Sequence, residues 1–304
     1  MKWENKGLIY RPDGKNGWDD NTFIAPLPLQ VDENTLRIYG TVRDKEGAGR
    51  LSYIEVDANN PKIIKKTIDK PLVDIGRPGM FDDNGVVAVG LLPLKDEIRI
   101  YYAGYTLGTK VRHFDFTGLA ISKDGGLTFK KYSEIPICDR IEGEELTRAI
   151  QMVLYENGIY RAYYVGGSGF VQGKTKAISQ YDLRYMESKD GIHFPNVVGK
   201  TVIPIEKGCY RVGKPYIVKE NGIYKMFYSD GGDDGALYRL AYAESPDGLE
   251  WTKKDLNLPL SEKGWDSQMA EYPSFIRVNG KAYLFYNGNN YGYDGFGYAE
   301  LIEE

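Results

Sequence analysis

Histidine and cysteine are almost missing from this chain, with two of each among 304 residues. Two scattered histidines do not make a tetrahedral zinc site. Cys138 and Cys209 are too few for a disulfide framework, which fits a reducing cytoplasm. Neither a metal nor a cofactor is expected. No run of Lys or Arg occurs and the net charge is −4, so nucleic acid and anionic membrane are poor candidate partners. The opening MKWENKGLIY lacks the apolar core of a secretory signal, and no stretch approaches the length of a transmembrane helix.

Tyrosine and glycine, by contrast, are abundant: 25 Tyr and 36 Gly, beside 11 Phe and 4 Trp. A hydrophobic fraction of 42% supports a substantial core. Strand-type alternation with this much Tyr and Gly indicates a β-rich protein, because Tyr has high β-propensity. Aromatic faces are also common where sugars bind.

Three phrases recur about 60 residues apart: AISKDGGLTF from Ala120, MESKDGIHF from Met186 and AESPDGLEW from Ala243. A period of that order predicts a repeat architecture. Each phrase follows a segment of the same grammar, shown by KPYIVKENGIYKMFYSDGGDDGALYRLAYAES before the last. There Lys214 to Val218 reads as a strand, Glu220-Asn221-Gly222 as a hairpin turn, and Tyr224 to Tyr228 as a second strand. Tyr238 to Ala243 is a third, the DG makes the next turn, and LEWTKKD begins a fourth. Four antiparallel strands and a connection make one propeller blade. The expected fold is all-β, a single five-bladed β-propeller over 1–304. Its blades fall at approximately 18–70, 77–135, 146–200, 211–258 and 266–304, the last completed by an N-terminal strand around Gly7 to Arg11. In each phrase Gly supplies the positive φ and Asp bonds its own turn, while Phe129, Phe194 or Trp251 packs between blades. His193 lies inside such a phrase at an outer edge, and His113 is placed in a loop.

Innermost strands of a propeller line a central channel, and here they are expected to begin near Ala25, Gly85, Arg148, Lys214 and Tyr272. Polar residues before those points are Trp18-Asp19-Asp20, Arg77 with Asp82-Asp83, Glu144-Glu145 with Arg148, Arg211 with Lys214, and Asp266 with Glu271. Loops after second strands add Arg43-Asp44, Asp230 with Asp233-Asp234, and Asn287-Asn289-Asn290. Acid–base cleavage of a glycosidic bond needs two carboxylates flanking the scissile oxygen, and Glu271, directly ahead of Tyr-Pro, is the most interesting candidate. The arginines can neutralise a carboxylate, a phosphate or a sugar acid, or pair with neighbouring carboxylates as a structural network.

Five units carrying G-x-Y-x-x-x-Y-x-x-G and S-x-D-G-x-x-W/F resemble the five-bladed glycosidases, glycoside hydrolase families 43, 32, 62 and 68, and the mannoside phosphorylases of family 130. FDDNG, GLAISKDGG, GWDS, EYPS and FYNGNNYGYDGFG more narrowly resemble bacterial predicted glycosidases found among genes for surface-polysaccharide synthesis. The resemblance covers almost the whole chain. Departures from it concern the acids. Where the hydrolases place Asp before the first inner Pro, this chain has Ala25-Pro26. Their Arg-Asp-Pro element is Arg148-Ala149-Ile150, and their Glu-x-Pro is Gly213-Lys214-Pro215. Only Glu271-Tyr272-Pro273 keeps a carboxylate. Family-130-type phosphorylases need one acid and a cationic phosphate site, which suits this set better.

The resemblance therefore implies hydrolysis, phosphorolysis or transfer at a glycosidic bond, on a carbohydrate with or without phosphate or an acidic sugar. Glu271, Asp82 or Asp83 is expected as general acid and Asp230 as a second carboxylate. Arg43, Arg77, Arg148, Arg211 and Lys214 are expected on an anionic group, with Tyr272 and Trp18 stacking on sugar. The rival expectation is a glycan-binding propeller without catalysis, for which the lost carboxylates argue.

Overall fold

A computed structural model describes residues 1–207, 209–232 and 237–303; Asp233 and Asp234 lie outside the described residues. Strands dominate, and among the described residues the single 3₁₀ turn is Asn290–Gly292. Twenty strands form five four-stranded antiparallel meanders. The first is Asn21–Asp32, Thr35–Arg43, Gly49–Asp57 and Ile64–Thr67. The second runs Gly85–Pro93, Ile98–Leu107, His113–Ser122 and Lys130–Lys131. The third is Thr147–Glu156, Ile159–Gly167, Asp182–Ser188 and Lys200–Ile203. The fourth is Cys209–Glu220, Ile223–Gly232, Arg239–Ser245 and Thr252–Lys254. Glu271–Val278, Lys281–Asn287 and Phe296–Glu303 make the fifth, and Lys2–Tyr10 adds its outer strand by antiparallel pairing.

First strands pack in a ring: first on second, second on third, third on fourth, fourth on fifth, and fifth back on first. Between neighbouring meanders lies aromatic core. Phe227 and Phe275 stack at 5.2 Å between the fourth and fifth, with Trp3 edge-on to both. Phe23 and Phe296 meet at 4.7 Å between the fifth and first. The closing aromatics of the repeated phrases do pack across these boundaries, Phe129 on Tyr39 at 5.7 Å and Trp251 on Tyr163 at 6.3 Å.

One local irregularity recurs in all five first strands. The ladder slips at Ala25-Pro26, Val89, Gln151, Lys214-Pro215 and Tyr272-Pro273. Proline lacks the ladder donor and is tolerated inside a sheet at such a bulge. A bulge also re-aims the side chain of the unpaired residue. Ala25, Lys214 and Tyr272 adopt positive φ, between 51° and 56°, a conformation that costs a non-glycine residue about 1 kcal/mol or more. The sequence accepts that strain three times, at the ring's inner surface.

Candidate active site

The bulges build a central cavity of about 140 Å³. Ala25, Val89, Gln151 and Tyr272 line it, and the fifth bulge residue, Lys214, is fully buried. The wall also carries Arg43, Tyr105, His113, Asp115, Thr147, Tyr181 and Arg211. Apolar wall is supplied by Ile24, Val87, Ala103, Ala149 and Val165.

Several buried polar atoms here have no hydrogen-bond partner among the described residues: Arg43 Nε, Thr147 Oγ1, Arg211 Nη2, Lys214 Nζ and both oxygens of Glu271. Buried polar groups are almost always satisfied, and each orphan costs about 1–3 kcal/mol. Such a concentration at one cavity marks a place where a polar ligand completes the bonding. Glu271 is 0% exposed and sits behind the cavity wall, next to Tyr272 and within electrostatic reach of Arg211 and Arg43. Burial pushes its carboxyl well above the usual carboxylate range, against the opposing pull of Tyr272, Arg211 and Arg43. Burial thus favours its protonated form, and neither oxygen has a hydrogen-bond partner among the described residues. Burial alone lowers Lys214 to about 7.

Arg211 is fixed by donating Nε–H to the Ser179 carbonyl at 3.0 Å, and its guanidinium lies 4.9 Å from the Tyr210 ring and 5.3 Å from that of Tyr181. Tyr181 and Tyr238 hydroxyls meet at 3.4 Å, and Tyr238 sits against both Tyr272 and Tyr291. Tyr291, on the segment after Lys281–Asn287, feels the charges of Glu271 and Arg211. Four tyrosines, Tyr181, Tyr238, Tyr272 and Tyr291, thus run in contact past the acid.

Of the residues expected from sequence, Arg43, Arg211 and Tyr272 line this cavity, and Lys214 and Glu271 lie directly beside its lining. The others are placed elsewhere. Asp82 is buried under an ion pair with Lys131 at 2.6 Å and accepts the Tyr102 hydroxyl at 3.1 Å, in a separate groove between the first two meanders. Asp83 accepts the Gly79 amide within its own turn, and exposed Arg77 pairs with Glu134 at 3.2 Å. Arg148 is 0% exposed and pairs through Nε with Glu144 at 2.8 Å, while Arg184 holds the other Glu144 oxygen. That is the structural network among the alternatives for the arginines. Asp230 lies beside Lys253 at 3.7 Å and next to Cys209, not with Glu271. Trp18 donates its indole N–H to the Asp69 carbonyl and packs on the core around Phe23.

Several polar wall residues were missed, Tyr105, Thr147, Gln151 and Tyr181 among them, and with them one ionisable pair. His113 and Asp115 open the third strand of the second meander, not a loop, and His113 Nδ1 lies 2.9 Å from Asp115 Oδ2. Antiparallel order puts the start of a third strand at the same end as the start of a first strand, so HFDFTG was readable as alternation. His113 and Asp115 face the cavity, while Phe114 and Phe116 stack under Arg140 on the other side. Among the described residues no group of His, Cys, Asp and Glu is arranged to hold a metal ion.

This all-β ring of meanders around a central funnel is the fold of solved glycoside hydrolase structures. Solved structures with the same fold include a glycosyl hydrolase from Bacteroides ovatus, with TM-score 0.72 and 14% identity over 99% of this protein and 93% of the other. A thermostable family-43 glycoside hydrolase aligns with TM-score 0.65 and 19% identity over 93% of this protein and 91% of that one. No family model matches the sequence. This protein belongs to the same family as the uncharacterized protein Rv1502 of Mycobacterium tuberculosis strain H37Rv, with which it shares 30% identity over 306 residues and 99% of each sequence. It is also 30% identical over 162 residues to a 1,2-beta-oligomannan phosphorylase of Thermoanaerobacter sp. strain X514, over 51% of its own length and 52% of that protein.

Proposed function

We propose that this protein is a carbohydrate-active enzyme that breaks a glycosidic bond, with Glu271 giving its proton to the leaving oxygen. The five meanders are read as the five blades of one propeller domain spanning 1–304. One observation carries the functional reading: a fully buried carboxyl, whose burial favours the protonated form, beside two cavity arginines each with an N–H group that has no hydrogen-bond partner among the described residues. A general acid must hold its proton at working pH, and burial is the physical means. Arg43 and Arg211 hold an anion next to the reacting bond, and inorganic phosphate as the acceptor makes the reaction a phosphorolysis. The half-length likeness to an oligomannan phosphorylase supports that acceptor, as does the lack, among the described residues, of a second carboxylate against Glu271. Two unpaired cysteines favour a reducing compartment, and among the described residues no helix is long and apolar enough to cross a membrane. A role in surface-polysaccharide metabolism rests on the sequence resemblance.

Incubating the protein with β-1,2-linked mannooligosaccharides and inorganic phosphate is expected to release a mannose phosphate. Glu271→Gln keeps the shape and removes the proton donor. Turnover is expected to fall by about 10²–10⁴-fold with the melting temperature nearly unchanged. Undiminished turnover in that variant refutes the assignment. Sugar binding by the parent protein without cleavage, at any phosphate concentration, establishes the binding-only alternative instead.

A further inference from the structure

We propose that His113, held by Asp115, is the base that takes the proton from the attacking oxygen. This inference rests on the reading of Glu271 as the acid and adds a group on the side of the attacking oxygen. Where the resemblance expects the hydrolase carboxylates, this chain has Ala25, Ala149 and Gly213. Its bulge residues are Ala25, Val89, Gln151, Lys214 and Tyr272, none of them a carboxylate. A proton acceptor must come from elsewhere in the wall, and the His113–Asp115 pair lines it.

Its geometry is that of an oriented base. Asp115 takes one imidazole nitrogen, Nδ1, at 2.9 Å, which fixes the ring and leaves Nε2 for the cavity. Tyr105 braces the ring edge-on at 6.2 Å. Asp115 is itself pinned: its amide donates to the Leu146 carbonyl at 3.2 Å, in the short parallel pairing of the second and third meanders. Beside it in that register is Thr147, whose buried hydroxyl lines the same cavity without a partner among the described residues. His113 and Glu271 stand on the second and fifth meanders, which are not neighbours in the ring. Proton donor and proton acceptor are thereby kept on separate walls with the substrate between them.

The step balances. His113 Nε2 accepts a proton from water, or from a phosphate hydroxyl, as that oxygen bonds to the anomeric carbon. The bond from that carbon to the leaving oxygen breaks, and its electron pair takes the proton of Glu271. Imidazolium and carboxylate then exchange their protons with solvent.

The test uses the full-length protein with 2,4-dinitrophenyl β-mannoside and 4-nitrophenyl β-mannoside as probes, with water, phosphate or azide as acceptor. Azide needs no base, and dinitrophenolate needs no acid. His113→Ala and His113→Gln are expected to lose about 10²-fold or more in kcat with water, to regain turnover with azide, and to yield the glycosyl azide. Asp115→Asn is expected to lose less and to respond to azide in the same sense. Glu271→Gln has the opposite signature, acting on the dinitrophenyl probe and not on the nitrophenyl one. Unchanged kcat in the His113 variants, or a loss that azide does not restore, overturns the His113 assignment and leaves Glu271 standing. Loss of Glu271→Gln activity on both probes, or no cleavage by the parent protein, overturns the underlying reading.

Discussion

Lys214 shows how much one side chain can reveal about the cost of a functional site. It has positive φ, is 1% exposed, and its ammonium has no hydrogen-bond partner among the described residues. Its folded-state pKa, about 7, lies below the ordinary 10.5. Between those values the unfolded protein holds more protons than the folded one, so stability from this group rises with pH. Below about 7 the penalty is present in full. Lys214→Met keeps the stem and removes the charge. It is expected to raise the melting temperature by roughly 2–4 °C for each kcal/mol regained at pH 6, and by progressively less towards pH 10. Glu271 runs the other way: its raised pKa contributes stability that is complete near pH 4 and is lost as pH rises. Comparing variant with parent at each pH separates the two. A gain that is the same at pH 6 and pH 10 contradicts the account. At this scale the sequence singled out Glu271 by its place before Tyr-Pro, and the structure buries it next to Tyr272 of the cavity wall. For Arg148 it left open an anion site or a pairing with neighbouring carboxylates, and the fold decides for Glu144, which Arg184 shares.

At the scale of elements, the repeated Ser-x-Asp-Gly turn acts as a latch between meanders. Ser188 Oγ accepts the Asp190 and Gly191 amides, and Asp190 accepts those of Ile192 and His193. The turn is then clamped by the preceding meander, where Arg99 donates to the Asp190 carbonyl at 2.6 Å and Tyr101 to that of Gly191 at 2.8 Å. Arg37 and Tyr39 grip Gly125 and Gly126 in the same way, and Arg161 and Tyr163 grip Asp247 and Gly248. In the fifth meander Lys281 and Tyr283 both reach the Asn59 carbonyl of the first. Gly191 has φ 69°, and a Cβ there would lie 2.9 Å from the Tyr101 hydroxyl and 2.5 Å from the Tyr160 ring. Tyr101→Phe is expected to cost about 1–3 kcal/mol, since the Gly191 carbonyl loses its donor. Gly191→Ala is expected to cost more, through backbone strain and contact together. Urea unfolding midpoints read the order directly, and a Gly191→Ala variant as stable as its parent contradicts it. The phrase was legible as a turn from Asp and Gly alone. Its second role was not, because the bonded Arg or Tyr and its turn carbonyl are 85 to 91 residues apart in sequence and meet only when neighbouring meanders pack.

For the whole molecule, the decisive contact is the one joining its two ends. Lys2–Tyr10 pairs along its length with Phe296–Glu303, and Trp3 from that strand fills the aromatic seam of Phe227 and Phe275. Asn287 then ties the fifth meander to the first, donating to the Phe23 carbonyl and accepting the Ala25 amide at 2.8 Å. Because that amide belongs to a bulge residue, ring closure also sets the cavity floor. A strand completing the last unit was expected from the unit's missing fourth strand, so closure was readable by counting. The Asn287 tie was not, since Asn287 was read as a mouth residue and its partners lie 262 and 264 residues away. A truncated protein starting after Tyr10 leaves the outer edge of Phe296–Glu303 unpaired and Trp3's seam open, and an exposed edge invites pairing with other molecules. Such a truncation is expected to lose cooperative unfolding and to aggregate. Adding the peptide of residues 1–11 in excess is expected to restore the melting transition in part, because a strand that binds the folded ring stabilises it by mass action. Asn287→Ala, which keeps the strand but frees the Ala25 amide, is expected to disturb activity more than the truncated protein rescued by its peptide. Full activity in Asn287→Ala would separate closure of the ring from formation of the site, and the bulges alone would then hold the cavity in shape.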